Sequence, residues 1–208
     1  MAKKRGEIST MLTNLSTAGF ATSSRYAVSL ALPNVLTSDK DFMSDFRNID
    51  GLKRNRLINF YADSISTPTK QVTTAQHRTH GVGINYPTGT VYGEVSLNLL
   101  SPENLDFNRL FESWYQKVHL DYGNVVQYYE DCISKEMIIY SLEKDGKDSS
   151  YNVTGRWEIY GALPYNISPY QFSSGRTQLL KMRVSFKVER YRFLTGGKWS
   201  EIKGLFNY

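Results

Sequence analysis

The chain has 208 residues, with 25 basic against 20 acidic side chains for a net charge of +5, and 13% aromatics that include 15 tyrosines. This length suits one generous domain with its own core and leaves two full domains short of material. Its single cysteine, Cys132, excludes an internal disulfide, and no run of eighteen uncharged apolar residues is present to cross a bilayer as a helix.

Residues 1–24 read as an N-terminal arm, with a short helix from Ile8 to Leu15. The arm opens on Lys3-Lys4-Arg5 but lacks the apolar stretch of a secretory signal, so synthesis in a cytosol is expected and export by that route is not. Residues 25–208 read as a single domain. Arg25 to Leu30 alternates apolar and polar residues and predicts the first strand. Pro33 to Arg56 is polar and predicts a loop or short helical turn, after which Leu57 to Ile65 resumes as strand.

From Thr67 to Thr90 the chain is rich in Thr, Gly and Pro, and Val72, Val82, Ile84 and Tyr86 are its large apolar anchors. It is too polar for a core and too long for an ordinary connection, so an extended hairpin projecting from the body is predicted. A lone hairpin is marginal in water. Thr67, Pro68, Lys70, Val72, Gly81, Gly83, Tyr86 and Pro87 are therefore candidate residues of an element that a neighbouring subunit covers.

Val91 to Leu100 alternates again, with Val95, Leu97 and Leu99 on one side and Tyr92, Glu94, Ser96 and Asn98 on the other. Ser101-Pro102 supplies an N-cap and first-turn pair for a helix, in which Phe107, Leu110, Phe111, Trp114 and Val118 form a stripe at helical spacing. Such a stripe belongs to a core rather than to a cofactor site. Tyr128 to Leu142 leads towards another strand, Glu143 to Ser150 forms a loop turning at Asp145-Gly146, and Val153 to Tyr160 is strand. Gly161-Ala162-Leu163-Pro164 ends that strand, and a loop runs on to Gly175. Leu179 to Phe193 then reads as one long strand. Leu180, Met182, Val184, Phe186 and Val188 form its apolar row, and Lys181, Arg183, Ser185, Lys187 and Glu189 its wet row. At roughly 3.3 Å per residue it reaches about 50 Å, against about 43 Å across a compact chain of this size, so it must bend, bulge or overrun the body.

Catalytic constellations are missing from this text. His77 and His80 would point to opposite faces of a strand, and only His119 and Cys132 remain as further soft ligands, so no metal site is expected. Cys132 has no neighbouring His or basic pair and reads as a buried structural thiol. Gly81-Val82-Gly83 lacks the rest of a dinucleotide fingerprint, and Asp106, Glu112 and Asp121 form no carboxylate pair. Lys3-Lys4-Arg5 and Lys53-Arg54-Asn55-Arg56 are short runs that suit a solvated surface. Asn152 and Asn166 match the glycosylation pattern by chance. No catalytic, metal-binding or cofactor-binding residue is assigned.

Several segments carry a family resemblance when taken in order. They are Arg25-Tyr26-Ala27-Val28; Phe60 to Pro68 leading into the polar hairpin; Gly89 and Tyr92 through Leu99; Phe111-Glu112-Ser113-Trp114 on the helix; and Trp157 to Ile167 before the long final strand. With them the chain resembles the tail-tube proteins of contractile-tailed bacteriophages, related in fold to the tube proteins of type VI secretion and of contractile bacteriocins.

The resemblance implies a mainly β fold, an antiparallel sandwich or barrel with one flanking helix and a long projecting hairpin. It implies hexameric rings stacked into the inner tail tube of a virion assembled in a bacterial cytoplasm, with strands of six subunits joined around the lumen. Sheath, baseplate and tail-terminator proteins are the implied partners; genomic DNA passes without specific binding, and no membrane, cofactor or enzymatic activity is implied. The N-terminus and Asp39 to Arg56 are longer than a minimal tube subunit needs, so a baseplate-proximal tube initiator is the alternative. A monomeric ligand-binding β-barrel and a nucleic-acid-binding module are more distant ones. Whether Lys181, Arg183 and Lys187 face the lumen or the outer wall stays open at this point.

Overall fold

Two four-stranded antiparallel sheets and a helix enclose the main apolar core in the computed structural model, which describes residues 23–39, 42, 58–78, 81–120, 125–144, 151–172, 174–175 and 178–196. The chain opens with β1 (Tyr26–Leu30), α1 (Asn34–Thr37) and β2 (Ala62–Ile65), then β3 (Lys70–His77), β4 (Ile84–Tyr92) and β5 (Val95–Leu100). The main helix, α2 (Asp106–Val118), is followed by the short pair β6 (His119–Leu120) and β7 (Val125–Val126), and by α3 (Tyr129–Cys132). The remaining strands are β8 (Met137–Lys144), β9 (Tyr151–Tyr160), β10 (Leu163–Ile167), β11 (Lys181–Lys187) and β12 (Arg190–Thr195). Sheet I has the order β1-β8-β9-β12 and sheet II the order β10-β11-β5-β2, while among the described residues β3 and β4 pair only with each other.

Alternation places the core. Val95, Leu97 and Leu99 of β5 and Met182, Val184 and Phe186 of β11 are fully buried against Val28, Leu30, Met137, Ile139 and Ile159 of sheet I. The helix closes this core with the predicted stripe: Phe107, Leu110, Phe111 and Trp114 are buried, and Val118 packs at the margin. Phe186 is the meeting point, with its ring 6.0 Å from Phe111 and 6.3 Å from Trp114. The indole N–H of Trp114 is satisfied by the Cys132 carbonyl at 2.8 Å, which ties α2 to α3. Cys132 itself is buried, and burial pushes its thiol pKa up.

Several boundaries differ from the sequence-based expectation. Leu179 to Phe193 is not one strand: it bends at Val188-Glu189, so β11 lies in sheet II and β12 in sheet I. One segment thus staples the two sheets. Residues 58–61 are helical rather than strand. The Asn59 side chain there accepts the Val28 N–H at 2.5 Å and donates to the Val28 carbonyl at 2.9 Å, satisfying the edge of β1 as a strand would. The helix starts at Asp106 instead of Ser101, because Ser101 is held by the sheet, its N–H on the Leu180 carbonyl at 2.9 Å and its hydroxyl 2.8 Å from that of Tyr170. Leu105 takes a left-handed φ of 52° to turn the chain into the helix. The presumed loop after Gly161 contains β10, which pairs with β11 around a bulge at Pro164/Asn166. A proline suits that position, since an edge strand can lose an N–H without breaking a ladder. The helix expected at Ile8 to Leu15 and most of Asp39 to Arg56 lie outside the described residues.

Gly161 closes β9 with φ 67°, and a Cβ there would come within 2.5 Å of the Glu189 side chain. Gly161→Ala should therefore destabilise the fold by about 1–2 kcal/mol from the left-handed backbone alone, read as a lowered urea midpoint with unchanged slope. A midpoint equal to the native one would show that the corner relaxes freely.

Candidate functional site

The hairpin is the continuation of the β2/β5 pair beyond the body. The Ser66 N–H reaches the Ser96 carbonyl at 2.9 Å and the Gly93 N–H the Thr69 carbonyl at 2.8 Å, and pairing then runs from Lys70/Tyr92 to His77/Ile84 with a bulge at Thr73/Thr74. At the root Pro68 is buried, Thr67 and Lys70 are exposed, and the Tyr92 ring meets Tyr191 edge-on at 5.6 Å. Register puts Ala75, Ile84, Tyr86 and Val91 on one face, and Lys70, Val72, Pro87 and Tyr92 on the other. Ile84 is 70% accessible and Val82, in the turn beside Gly81 and Gly83, 89%. Gly81 supplies the positive φ of that turn, 75°. From Ser64 to Gly93 the sequence holds no carboxylate, and Lys70 and Arg78 are its cations. The ribbon thus exposes apolar side chains on both faces.

The second surface is the side of sheet II that faces away from the core. Its basic row is matched strand by strand. The Lys181 ammonium sits 3.0 Å from Asp63, the Arg183 guanidinium donates to the Ser96 hydroxyl at 3.0 Å, and Lys187 lies 3.6 Å from Glu94 and 4.5 Å over the Tyr165 ring. The Tyr165 hydroxyl also donates to Glu94. Ser185 belongs to this row by alternation but is covered, 4% accessible, with its hydroxyl 3.3 Å from that of Ser96. Glu189 lies beyond β11, at the corner, where it accepts the Tyr129 hydroxyl at 2.6 Å.

These contacts shift two ionisations in opposite senses. The Tyr165 hydrogen bond, with the Lys187 charge behind it, holds the Glu94 carboxyl below its ordinary value. The Glu94 contribution is thus complete above the ordinary carboxylate range and fades as pH falls through the lowered value. Burial, with the Glu189 hydrogen bond added, pushes Tyr129 from 10.0 up to about 12. Its contribution is complete below the unfolded value near 10.0 and is lost as pH rises towards about 12. The urea midpoint should therefore drop across that alkaline window, and drop less in Tyr129→Phe; equal drops would exclude Tyr129 as a source.

A groove of about 660 Å³ opens between β2 and sheet I, with Tyr26, Ile139 and Trp157 on its walls and Asp63, Ser64 and Ser141 at its rim. Its lining holds neither a nucleophile with a base nor a carboxylate pair. Among the described residues no group of three or more His, Cys, Asp or Glu side chains is placed to hold a metal ion, and no helix is long and apolar enough to cross a membrane.

A family profile described as phage tail tube protein matches residues 21–194. The chain belongs to the phage tail tube protein family. No curated protein sequence matches this tube protein. Among solved structures it is similar to a chain of the sheath–tube complex of an extracellular contractile injection system, PVC, in the extended state, with 13% identity over 88% of this chain and 97% of that one and a TM-score of 0.56. It is similar to a chain of the tube-terminating cap of the anti-feeding prophage, with 14% identity, 85% and 92% coverage and a TM-score of 0.56. The sheath/tube terminator of PVC gives 13% identity, 85% and 98% coverage and a TM-score of 0.56. At these identities the likeness is one of fold, and it covers nearly the whole of each neighbour.

Asp63, Glu94 and Tyr165, which complete the basic row of this tube protein, were missed by sequence reasoning. Alternation from Val95 to Leu99 does put Glu94 on the same side as Ser96, but pairing it with Lys187 needs the β5/β11 register. Tyr165 lay hidden in a supposed loop.

Proposed function

We propose that this protein builds the inner tube of a contractile tail: six copies join edge to edge through sheet II into a ring, rings stack, and the genome passes through the lumen inside an enclosing sheath. The observation that carries this reading is sheet II itself. Among the described residues its outer strands are β10 and β2, one face lies dry on the core, and two of the three cations on its polar face are paired with carboxylates. A strand of a second copy added at each edge removes the liability of exposed backbone groups.

Closure then decides what the polar face does. Six copies of a four-stranded sheet close a barrel of roughly 24 strands, and barrels of 16–18 strands already leave an aqueous channel rather than a packed interior. Lys181, Arg183 and Lys187 line the lumen in this arrangement. Asp63 and Glu94 offset two of these three cations on the spot, so a passing polyanion meets little of the excess charge that drives non-specific binding.

Purified protein examined by light scattering and negative stain should give six-membered rings and tubes; a monomer that stays monomeric at high concentration overturns the reading. Charge reversal tests the lumen. Tubes of Asp63→Lys/Glu94→Lys should retain duplex DNA at low salt and release it steeply as salt rises, while native tubes retain little. Equal retention by both would move this face off the lumen.

A further inference from the structure

Sheet I treats its two edges differently. At β1 the Asn59 side chain meets both backbone groups of Val28, whereas among the described residues β12 has β9 on one side and no strand on the other. The ladder fixes which groups are left there. The Gly196 N–H donates to the Thr154 carbonyl at 3.0 Å, and bonded positions alternate along an antiparallel pair. Leu194, Arg192 and Arg190 therefore turn their backbone groups to β9, and Tyr191, Phe193 and Thr195 turn theirs outward. The register from Arg190/Tyr160 to Thr195/Gly155 is unbroken, with neither the bulge nor the proline that commonly blunts an edge. A Cβ on Gly196, where the strand ends at φ 75°, would meet nothing within 4 Å.

The side chains along this edge are sorted by face. Arg190 and Arg192 are exposed on the side away from the core. Arg190 lies 5.1 Å over the Tyr160 ring, and Glu158, across from Arg192, is already held by Arg156 at 3.0 Å and by the Tyr160 hydroxyl at 3.0 Å. On the other face Phe193 has its ring centre 4.9 Å from that of Trp157 and remains 48% accessible.

We propose that the β12 edge docks an extended acidic segment of a different protein, which adds to sheet I as a further strand with carboxylates opposite Arg190 and Arg192 and an apolar side chain beside Phe193. In such an addition main-chain bonds supply affinity and alternate side chains choose the partner. A second copy of this chain is the poorer occupant. Antiparallel pairing of β12 with β12 sets arginines beside arginines, and like charges across strands are destabilising. None of the described strands carries two carboxylates two residues apart. The contact uses none of the groups by which sheet II is read as closing the ring, so it is tested apart from that reading.

The probe is a labelled peptide in which glutamates alternate with valines, and its counterpart carries lysines in place of the glutamates. Native protein should bind the glutamate peptide at least about tenfold tighter, as two opposite-charge pairs in place of two like-charge pairs demand, and Arg190→Glu/Arg192→Glu should reverse the order. Saturating glutamate peptide should slow hydrogen exchange of the Tyr191, Phe193 and Thr195 amides at least about tenfold, and leave those of Arg192 and Leu194, already bonded to β9, unchanged. Phe193→Ala keeps the outward N–H, while Phe193→Pro removes it without touching the β9 ladder and should bind at least about tenfold more weakly than the alanine variant. Equal affinity for the two peptides, no added protection at the three outward amides, or equal binding by the proline and alanine variants overturns the proposal. Rings lost in Phe193→Pro but kept in Phe193→Ala would give the edge to a second copy and overturn it too. The exchange measurement needs no variant, so it decides even where the proline chain does not fold.

Discussion

Replacing residues 70–92 with an Asn-Gly turn leaves a folded protein that no longer forms tubes. The Gly93 N–H already meets the Thr69 carbonyl at 2.8 Å, so the cut ends stand at hairpin distance, and Asn-Gly suits the tight turn that joins antiparallel strands. Little native packing is lost, because apart from the partly covered Thr73, Ala75, Gly83 and Tyr92 the described ribbon is exposed. Stability measured by urea should stay within about 0.5 kcal/mol of native, as for changes away from the core. Tube formation should vanish. Tubes of normal yield from the shortened chain would remove the hairpin from the assembly machinery.

Trp114→Ala should be the most damaging single substitution in the body. Trp114 is fully buried between Phe111 and Phe186, and truncating a buried tryptophan costs about 3–5 kcal/mol from lost transfer free energy and the cavity left behind. The Cys132 carbonyl would also lose its donor. Trp114→Phe separates the two effects: it keeps much of the volume and should cost about 1–3 kcal/mol through the unpaired carbonyl. Denaturant unfolding of the two variants checks this. An alanine variant no less stable than the phenylalanine one would mean that helix α2 repacks over sheet II without its central ring.

The parts of the fold that were legible in the sequence are those where one face is dry. Val95 to Leu99 and Met182 to Phe186 alternate because a core lies on one side only, and the helix stripe repeats at helical spacing for the same reason. The hairpin was legible from the opposite signal, a long stretch without enough apolar side chains to fold on its own. Elsewhere pattern was silent. Alternation continues through Val188 and Glu189 although the chain changes sheets there, because a bend alters neighbours without altering which side chains are apolar. Leu163 to Ile167 gave no strand signal, since its proline and bulge are tolerated only at an edge. Ser101-Pro102 looked like a helix start until Ser101 was seen bonded to Leu180 and Tyr170.

The basic row of β11 was visible as a pattern, and its meaning was not. Lys181, Arg183 and Lys187 alone suggest a surface that would hold a nucleic acid. Asp63, Ser96 and Glu94 come from β2, β5 and the turn before β5, and only strand register brings them alongside. With carboxylates beside two of its three cations, the face carries less excess charge than its sequence pattern suggests.

Helical reconstruction of tubes assembled from the purified chain by cryo-microscopy tests the central claim most directly. The expected map has β10 of one copy hydrogen-bonded to β2 of its neighbour around a closed ring, and the Lys181, Arg183 and Lys187 row pointing into the lumen. A map in which sheet II faces outward, or in which its two edges stay unpaired between neighbours, would contradict it.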